Sequence, residues 1–419
     1  MHPTSATILC SIATALVGLA SRADSPLTEA QYIARVVGSG DTARVLEAER
    51  DTEQAELAGL GLWPNPSLEW QRESLGAGAG PTGGTQDTFV LNVPLVLSGR
   101  TFLEADARDK HRQAADARLH YRRASLVRDA ILHYQRAVAG GQRRAALEAS
   151  HHVLIELQSV ITKRERAGDA AGYEVLRIAL EASAVESELN EARVIEHRAL
   201  REAAALVSSD EPISVSADAR TVVAKAAGAD EEVLAARADL RALQLEIDSA
   251  VAAERAAARG FIPEISLTGG AQVFRLGLPD STWGYVVGLS LPLPLFQRGQ
   301  DKRAQAQARR TLAVSRKVQL LRQARVRLDS AITELAARTT QVERFQSDVV
   351  QRAEQLRQVA RAAYQGGSAE LLVVVDAERA WREAQLKIVE LRLLLRQAEV
   401  DVALRSGRLN VAAQGPASP

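Results

Sequence analysis

Few residues in the sequence have a type and spacing that could perform chemistry, and the first candidate is a glycine-rich motif. Residues 78–83 read GAGPTG and satisfy the G-x-G-x-x-G pattern of dinucleotide-binding loops. Such a loop holds a pyrophosphate only between a strand and a helix, whereas here another strand pattern follows and Pro81 interrupts the motif. We therefore interpret these residues as a connecting loop.

Histidines are the second candidates for chemistry. His151 and His152 are adjacent on a predicted helix, so their side chains diverge by ~100° and cannot share a metal ion. The remaining candidates are scattered over charged helical segments without ligand spacing: His111, His120, His133 and His197. The sequence shows no serine elbow, nucleophilic cysteine or phosphate loop, so we expect neither an enzyme nor a bound cofactor or metal.

Two pairs of alternating segments organise the chain. Phe89, Leu91, Val93 and Leu95 alternate with polar or small residues, a period of two that is typical of strands with one apolar face. Strands are predicted at about 66–75 and 87–97, and again at about 263–274 and 282–293. Each pair, with its glycine-rich or short connection, predicts a β-hairpin.

Very long helical patterns surround both hairpins. They predict one helix over 28–62, a long pair over about 101–207, a helix over 230–259 and a second long pair over about 301–407. About 65 residues in one helix would span ~100 Å. The chain therefore divides into two tandem repeats of helix, strand, strand, long helix, turn and helix, over 24–207 and 229–410, with a linker at 208–228.

The ends of the chain and its composition bear on where the protein resides in the cell and on which partners it binds. Residues 1–23 resemble a secretory signal peptide, and residues 411–419 are predicted to be disordered. The only cysteine, Cys10, lies within the signal peptide, so no disulfide is expected. Lys and Arg number 52 and Asp and Glu number 52, a balance that gives no reason to expect nucleic acid as a partner.

The hairpins need partners. Exported strands with bare edges aggregate unless they are closed into a barrel, and their alternation suits a barrel that faces lipid. One chain supplies too few strands to enclose an aqueous pore, so several chains must contribute. The sequence thus predicts a mainly α protein with a small membrane β part.

These segments resemble the TolC family of outer-membrane efflux proteins. The resemblance lies in LWPNPSLEW (62–70), LNVPLVLSGR (91–100), FIPEISLTGG (261–270), LSLPLPLF (289–296) and the stretch from YQGGSAELL (364–372) to ALRSGRLN (403–410). The forms PNPSLEW and PLVLSGR look most similar to the CzcC-like members, which serve heavy-metal export. The resemblance implies a homotrimer with a twelve-stranded β-barrel on a long α-helical barrel, set in outer-membrane lipid with a long periplasmic extension.

The resemblance also implies a pore entrance at the helix turns. Tyr364 occupies the family's constricting tyrosine position, Asp376 falls on one acidic pore position, and the other acidic position is Val373 here. Glu174 matches an acidic partner across the helix pair, whereas the arginine expected near Ala369 is absent. The tips that would contact an adaptor are predicted at two turns, and they comprise Gly168, Asp169, Gly172, Gly366, Gly367 and Ser368.

The function that these implications favour is a passive trimeric duct. It would receive heavy-metal cations from an inner-membrane pump of the RND type through a periplasmic membrane-fusion adaptor. Two alternatives within the class remain, efflux of drugs or other organic compounds and type I protein secretion. An alternative of another class is a soluble periplasmic coiled-coil scaffold or adaptor, which predicts heptads without membrane strands.

Overall fold

The computed structural model describes residues 26–76, 83–168, 171–217, 231–275 and 282–409. The predicted signal peptide (1–23) and disordered tail (411–419) lie outside these ranges, as do Asp169 and most of the GAGPTG motif. The described chain is mainly helical with one small antiparallel sheet, which confirms the predicted fold class at that level. None of the described helices combines the length and hydropathy needed to cross a membrane.

Nine α-helices are described within these ranges. They are α1 (Glu29–Ser39), α2 (Asp41–Ala55), α3 (Arg100–Arg166), α4 (Gly172–Leu206), α5 (Glu231–Ala235), α6 (Ala238–Ala258), α7 (Gln300–Phe345), α8 (Gln351–Gln365) and α9 (Leu371–Arg405). The prediction of unbroken helices over 28–62 and 230–259 was wrong. The first is divided at Gly40 and the second at Arg237, because both residues adopt extended backbone.

The longest helix, α3, contains 67 residues and spans ~100 Å. Gly140 and Gly141 lie in its middle and do not interrupt it. A Cβ at Gly140 would stand 3.1 Å from the Glu196 Cα of α4, so the missing side chain lets the two helices approach closely.

A π-helical turn, Gln346–Val350, separates α7 from α8, where the sequence predicted one continuous rod. No proline or glycine marks this position in the sequence. The turn places Val350 in a buried cluster with Trp381 and Ile388 of α9. Arg392 also donates a hydrogen bond of 2.9 Å to Gln346, so the irregular turn is held by α9.

The helices are stabilised by long seams rather than by one thick core. α3 packs against α4, α6 and α9, and α7 packs against α6 and α9. One seam gathers buried side chains of α3, α4 and α9, among them Leu147, Leu154, Ile178, Leu189 and Val375. Alanine is frequent at such positions and lets neighbouring helices lie close together.

The segment before α1 and the segment after α4 meet beside α3. Leu27 and Val215 form a parallel bridge, and the Tyr134 hydroxyl donates to the Leu27 carbonyl oxygen at 2.7 Å. Nearby, Glu29 is fully buried and accepts a hydrogen bond of 2.6 Å from Arg396 of α9. Part of the predicted linker is therefore packed on the helices.

The strands are β1 (Ser67–Leu75), β2 (Gly84–Leu95), β3 (Ile265–Arg275) and β4 (Thr282–Ser290). All neighbours are antiparallel in the order β1-β2-β3-β4, so the two hairpins form one sheet through β2 and β3. β4 ends before the predicted residue 293 because Pro292 and Pro294 cannot donate to a ladder.

Candidate functional site: the helix turns and the two faces of the sheet

Two sharp turns connect the long helices at the end distant from the sheet. Gly168 follows α3 with φ +83°, and Gly367 follows α8 with φ +74°. These left-handed conformations favour glycine, which carries no Cβ. The Ser368 N–H donates to the Ala363 carbonyl oxygen at 2.9 Å, which closes the second turn.

The predicted adaptor-contacting residues lie at these turns. Those that the structure describes are exposed, namely Gly168, Gly172, Gly366, Gly367 and Ser368. Gly172 is the first residue of α4. Asp169 is outside the described residues, and contact with an adaptor stays a prediction for all six.

Tyr364 lies at the end of α8, and its side chain connects the two interhelical turns through a contact with Arg164. Its half-buried ring packs against the seam of α3, α4 and α9. Arg164, in the last turn of α3, donates to the Tyr364 hydroxyl at 3.3 Å, and its guanidinium carbon lies 5.9 Å from the ring centroid. Within the described residues, no hydrogen bond joins Tyr364 to Glu174, which lies half-buried in the first turn of α4.

Sequence reasoning missed Arg164. The residue stands four positions before Gly168, much as Tyr364 stands three positions before Gly367. Their equivalent places in the two turns are the signal that could have indicated the contact. The arginine that the resemblance led us to expect near Ala369 is absent, and the arginine that contacts Tyr364 is Arg164 of the other turn.

Asp376 and Val373 are both exposed and stand three residues apart on α9, so they share one side of that helix. The charge of Asp376 is partly offset by Arg379, one turn further along. The pKa of the Arg379 guanidinium is raised, mainly by its hydrogen bond with Glu181 and to a smaller extent by Asp376. Asp376 therefore offers negative charge at the surface without being locked in a buried pair.

Glu181 connects α4 to α9. It accepts hydrogen bonds from Arg379 at 2.5 Å and from Arg382 at 3.2 Å, and its side chain is only 12% exposed. Burial works to raise the pKa of Glu181, but the hydrogen bonds from the two arginines outweigh it and hold that pKa below its ordinary value. The pattern of residues in the sequence did not single out this contact.

Another buried carboxylate connects α9 to α8. Glu378 accepts a hydrogen bond of 2.8 Å from Arg357, and Arg361 approaches it at 3.1 Å. The Arg357 guanidinium also stacks on Trp381 at 3.9 Å from the ring centroid. Successive residues of α9 thus pair with α8 on one side and α4 on the other, which makes α9 the central element near the turns.

The four-stranded sheet has one apolar face and one polar face. Cross-strand partners share a face, and the register aligns Trp70 with Phe89 and Ala271 with Tyr285. What we call the apolar face carries large exposed side chains: Leu68, Trp70, Phe89, Leu91, Leu267, Trp283, Tyr285, Val287 and Leu289. Trp283 and Tyr285 are 76% and 79% exposed, so none of the residues that the structure describes covers this face at these positions.

The opposite side, here called the polar face, carries mostly hydrophilic or small residues. Among its members are Glu69, Gln71, Glu73, Thr88, Asn92, Thr268, Gly270, Gln272 and Gly288, together with Val90, Phe274 and Val286. Thr268 donates to the Asn92 side chain at 2.5 Å. Within the four described strands, Glu69 and Glu73 are the charged side chains of this face, and both are exposed.

The structure brings no metal ligands together in the described ranges. Among those residues, no group of three or more His, Cys, Asp or Glu side chains could hold a metal ion. His133 and His152 each lie 3.7 Å from one glutamate, Glu202 and Glu156 respectively.

The fold defined by these helices and this sheet is that of solved outer-membrane channels. The open state of the Neisseria gonorrhoeae MtrE outer membrane channel superposes with a TM-score of 0.75 and 17% identity, over 92% of this chain and 90% of that chain. At this identity the likeness concerns the fold.

Sequence comparison agrees with this likeness. Residues 231–408 match the family model described as outer membrane efflux protein, which confirms the predicted relationship to that family. The nickel-cobalt-cadmium resistance protein NccC of Alcaligenes xylosoxydans xylosoxydans is 24% identical over 307 residues, 70% of this chain and 66% of that protein. The pyoverdine export outer membrane protein OpmQ of Pseudomonas putida KT2440 is 31% identical over 189 residues, 43% of this chain and 38% of that protein.

The aligned regions cover just under two thirds of the first relative and well under half of the second. The description of the matched family model agrees with the predicted outer-membrane location.

Proposed function

We propose that this protein is the outer-membrane duct of a tripartite efflux assembly. In this assembly an inner-membrane pump of the RND type supplies the energy, and a periplasmic adaptor joins the pump to the duct. The observation that carries the proposal is the amphipathic sheet, whose uncovered apolar face lies opposite a polar face with exposed carboxylates. A soluble single chain would expose that apolar face to water, where it would promote association.

The dimensions of the apolar face suit a bilayer. From Trp283 to Leu289 the strand advances six residues, or ~20 Å, close to the ~25 Å apolar band of outer-membrane barrels. Aromatic side chains lie towards the hairpin ends of this band, in Trp70, Trp283 and Tyr285. Further exposed aromatic residues, Trp63, Phe102, Phe261 and Phe296, lie where strands meet helices. Aromatic girdles of this kind mark the two membrane interfaces of barrels.

In a homotrimer, the edge strands of each sheet would pair with edge strands of the neighbouring subunits. β1 and β4 are the edge strands, so β1 of one subunit can pair with β4 of the next. Three sheets of four strands then close a twelve-stranded barrel with its polar faces lining the interior.

Exposed apolar side chains on α4 and on α7–α8 supply matching contacts below the barrel. They include Leu176, Leu180 and Val194 on α4, and Val326, Leu356 and Val359 on α7 and α8.

The conducted substrates are proposed to be heavy-metal cations. The name of the NccC relative supports this class, and the carboxylates of Glu69, Glu73 and Asp376 would favour cations along the path. Export of an organic compound is the second candidate, because the OpmQ relative is named for pyoverdine export. Asp376, Val373, Tyr364 and Glu174 are proposed to form the pore entrance, with Asp376 repeated three times at one level.

The decisive experiment fractionates cells that express the full chain and analyses the purified protein. We expect recovery in the outer membrane, a mass of three chains, and ion conductance in planar bilayers. A mature protein that stayed monomeric and soluble without detergent would contradict the proposal and favour a periplasmic scaffold.

Contact with the adaptor is tested at the turns. Gly168 and Gly367 have positive φ, so cysteine is better placed at Ser368 and Gly172, which lie beside them. We expect Ser368→Cys and Gly172→Cys to crosslink to the adaptor in intact cells, whereas Ser330→Cys on the exposed side of α7 should not. Equal crosslinking at all three positions would assign the turns a structural role only.

A further inference from the structure

An ion-paired cluster lies on the apolar face of the sheet. Asp87 of β2 is only 5% exposed and receives two hydrogen bonds from Arg72, of 2.7 and 2.8 Å. Arg275 of β3 donates a third, of 2.9 Å, and the Trp70 indole N–H a fourth, of 3.3 Å. We call these residues the Arg72–Asp87–Arg275 cluster.

The strand register fixes where this cluster lies. Arg72 is paired with Asp87, and Asp87 with Val273, which is in turn paired with Trp283. Arg72 and Asp87 therefore share a row with Trp283, one row beyond that of Trp70, Phe89 and Tyr285. Arg275, which is paired with Thr85, lies one row further towards the hairpin ends. All these residues are on the apolar face, so the charges stand at the outer margin of the apolar band.

The cluster has an excess of positive charge. One carboxylate faces two guanidinium groups, and the side chains of Arg72 and Arg275 remain 53% and 56% exposed. Each guanidinium has five N–H donors, of which Arg72 gives two and Arg275 one to Asp87. Asp87 thus orients both arginines, and most of their guanidinium N–H donors remain available to bind another group.

We infer that the Arg72–Asp87–Arg275 cluster binds the phosphate-bearing headgroup of an anionic lipid in the leaflet that faces the hairpin ends. This inference rests on the proposed function, because it requires the apolar face to lie in a bilayer. Guanidinium groups bind phosphate through paired N–H donors, and this geometry suits a headgroup held between two arginines. Trp283 and Tyr285 stand where aromatic side chains meet the headgroup region.

An anionic lipid fits this place better than a soluble anion. The cluster is flanked by lipid-facing aromatic and aliphatic side chains, so a bound lipid places its acyl chains along the apolar face. A free phosphate has no such contacts and would compete only through its charge. The two kinds of ligand are therefore separable by experiment.

The test uses the purified full-length assembly in nanodiscs that contain phosphatidylcholine with an equal fraction of phosphatidylglycerol. Native mass spectrometry counts the lipids that each assembly retains. We expect retention of phosphatidylglycerol to exceed that of phosphatidylcholine by about tenfold or more, as the loss of one or two charge-assisted hydrogen bonds implies. The double variant Arg72→Gln/Arg275→Gln should lose this preference.

The matched control is the double variant Arg193→Gln/Arg310→Gln, which removes two helix arginines of similar exposure. It should keep the preference for phosphatidylglycerol. Arg72→Lys/Arg275→Lys preserves charge and should retain only part of it, which also covers the case in which the glutamine variant fails to assemble. Inorganic phosphate added to the wild type should leave retention of the lipid unchanged.

Three outcomes would overturn the inference. They are equal retention of the two lipids by the wild type, full retention by the glutamine variant, and displacement of the lipid by inorganic phosphate. If the assembly forms conducting trimers with no preference for anionic lipid, the proposed lipid site is contradicted and the proposed channel function is not. If the chain does not enter bilayers at all, both proposals fail.

Discussion

Glu181 on α4 and Arg379 on α9 are joined by a hydrogen bond of 2.5 Å, and this contact ties the first long helix pair to the second. Both residues lie ~12–14 Å from the start of their helices at the turns, because each follows its helix start by eight or nine residues. Arg382 adds another donor to the same carboxylate. The two halves of the chain are therefore held together just above the proposed pore entrance.

We expect Glu181→Gln to destabilise this end of the molecule. The neutral amide leaves Arg382, whose side chain is 8% exposed, with a weakened partner, so the expected loss is about 1–3 kcal/mol. A lower thermal midpoint of the detergent-solubilised assembly would measure it. Glu188→Gln is the matched control, since Glu188 is more exposed and lies 3.8 Å from Arg382, where ion pairs contribute under ~1 kcal/mol. Equal midpoints for the two variants would contradict the assigned role of Glu181.

The same contact predicts a dependence on pH. The pKa of Glu181 is lower in the folded state than its ordinary value of 4.5, so its stabilisation is fully present above about pH 4.5. It is lost as the pH falls through the lower folded-state pKa. The difference in thermal midpoint between the wild type and Glu181→Gln should therefore be largest at neutral pH and should shrink as the pH is lowered below about 4.5. A difference that stays constant between these conditions would show that the ionised carboxylate is not the stabilising group.

The elements that local sequence determines were predictable. Alternating apolar residues located all four strands, and uninterrupted helical periodicity located α3, α4 and α9. The turns were placed by glycines at Gly168 and Gly367, whose positive φ explains why the sequence needs glycine there. Each of these features depends on neighbours within a few residues along the chain.

The features that the sequence did not show depend on residues that are far apart in the chain. Glu181 and Arg379 are separated by 198 residues, and Arg164 and Tyr364 by 200, so the spacing of neighbouring residues indicates neither contact. Only the equivalent places of Arg164 and Tyr364 in the two turns point to theirs. The pairing of β2 with β3 likewise joins hairpins from different halves. The break at Gly40 had a local signal, but a single glycine is also tolerated inside helices, as Gly140 shows.

At the turns, Asp376 provides a prediction about ion selectivity. We expect Asp376→Ala to lower the preference for cations over anions, measured as a reversal potential across a bilayer with a salt gradient, because three carboxylates would leave the pore entrance of the proposed trimer. Asp329→Ala removes an exposed carboxylate from α7 and should leave the reversal potential unchanged. An unaltered cation preference in Asp376→Ala would remove this residue from the pore entrance.

The two faces of the sheet predict an alternation that can be measured residue by residue. Tyr285 and Val286 are neighbours in β4, but the register places Tyr285 on the apolar face beside Ala271 and Val286 on the polar face beside Gly270. A cysteine introduced at either position is a unique thiol once residues 1–23 are removed, because the only native cysteine is Cys10. In proteoliposomes, Val286→Cys should react with a charged, water-soluble maleimide and Tyr285→Cys should not, since a lipid-facing thiol is excluded from water.

Leu68 and Glu69 form a matched pair for the same measurement in β1, with Leu68 on the apolar face and Glu69 on the polar face. We expect Glu69→Cys to react and Leu68→Cys to be protected. Solubilisation in denaturant should make all four thiols react equally, which controls for differences in intrinsic reactivity. Equal labelling of neighbouring positions in the membrane would mean that the sheet does not separate lipid from water, and the proposed barrel could not then be correct.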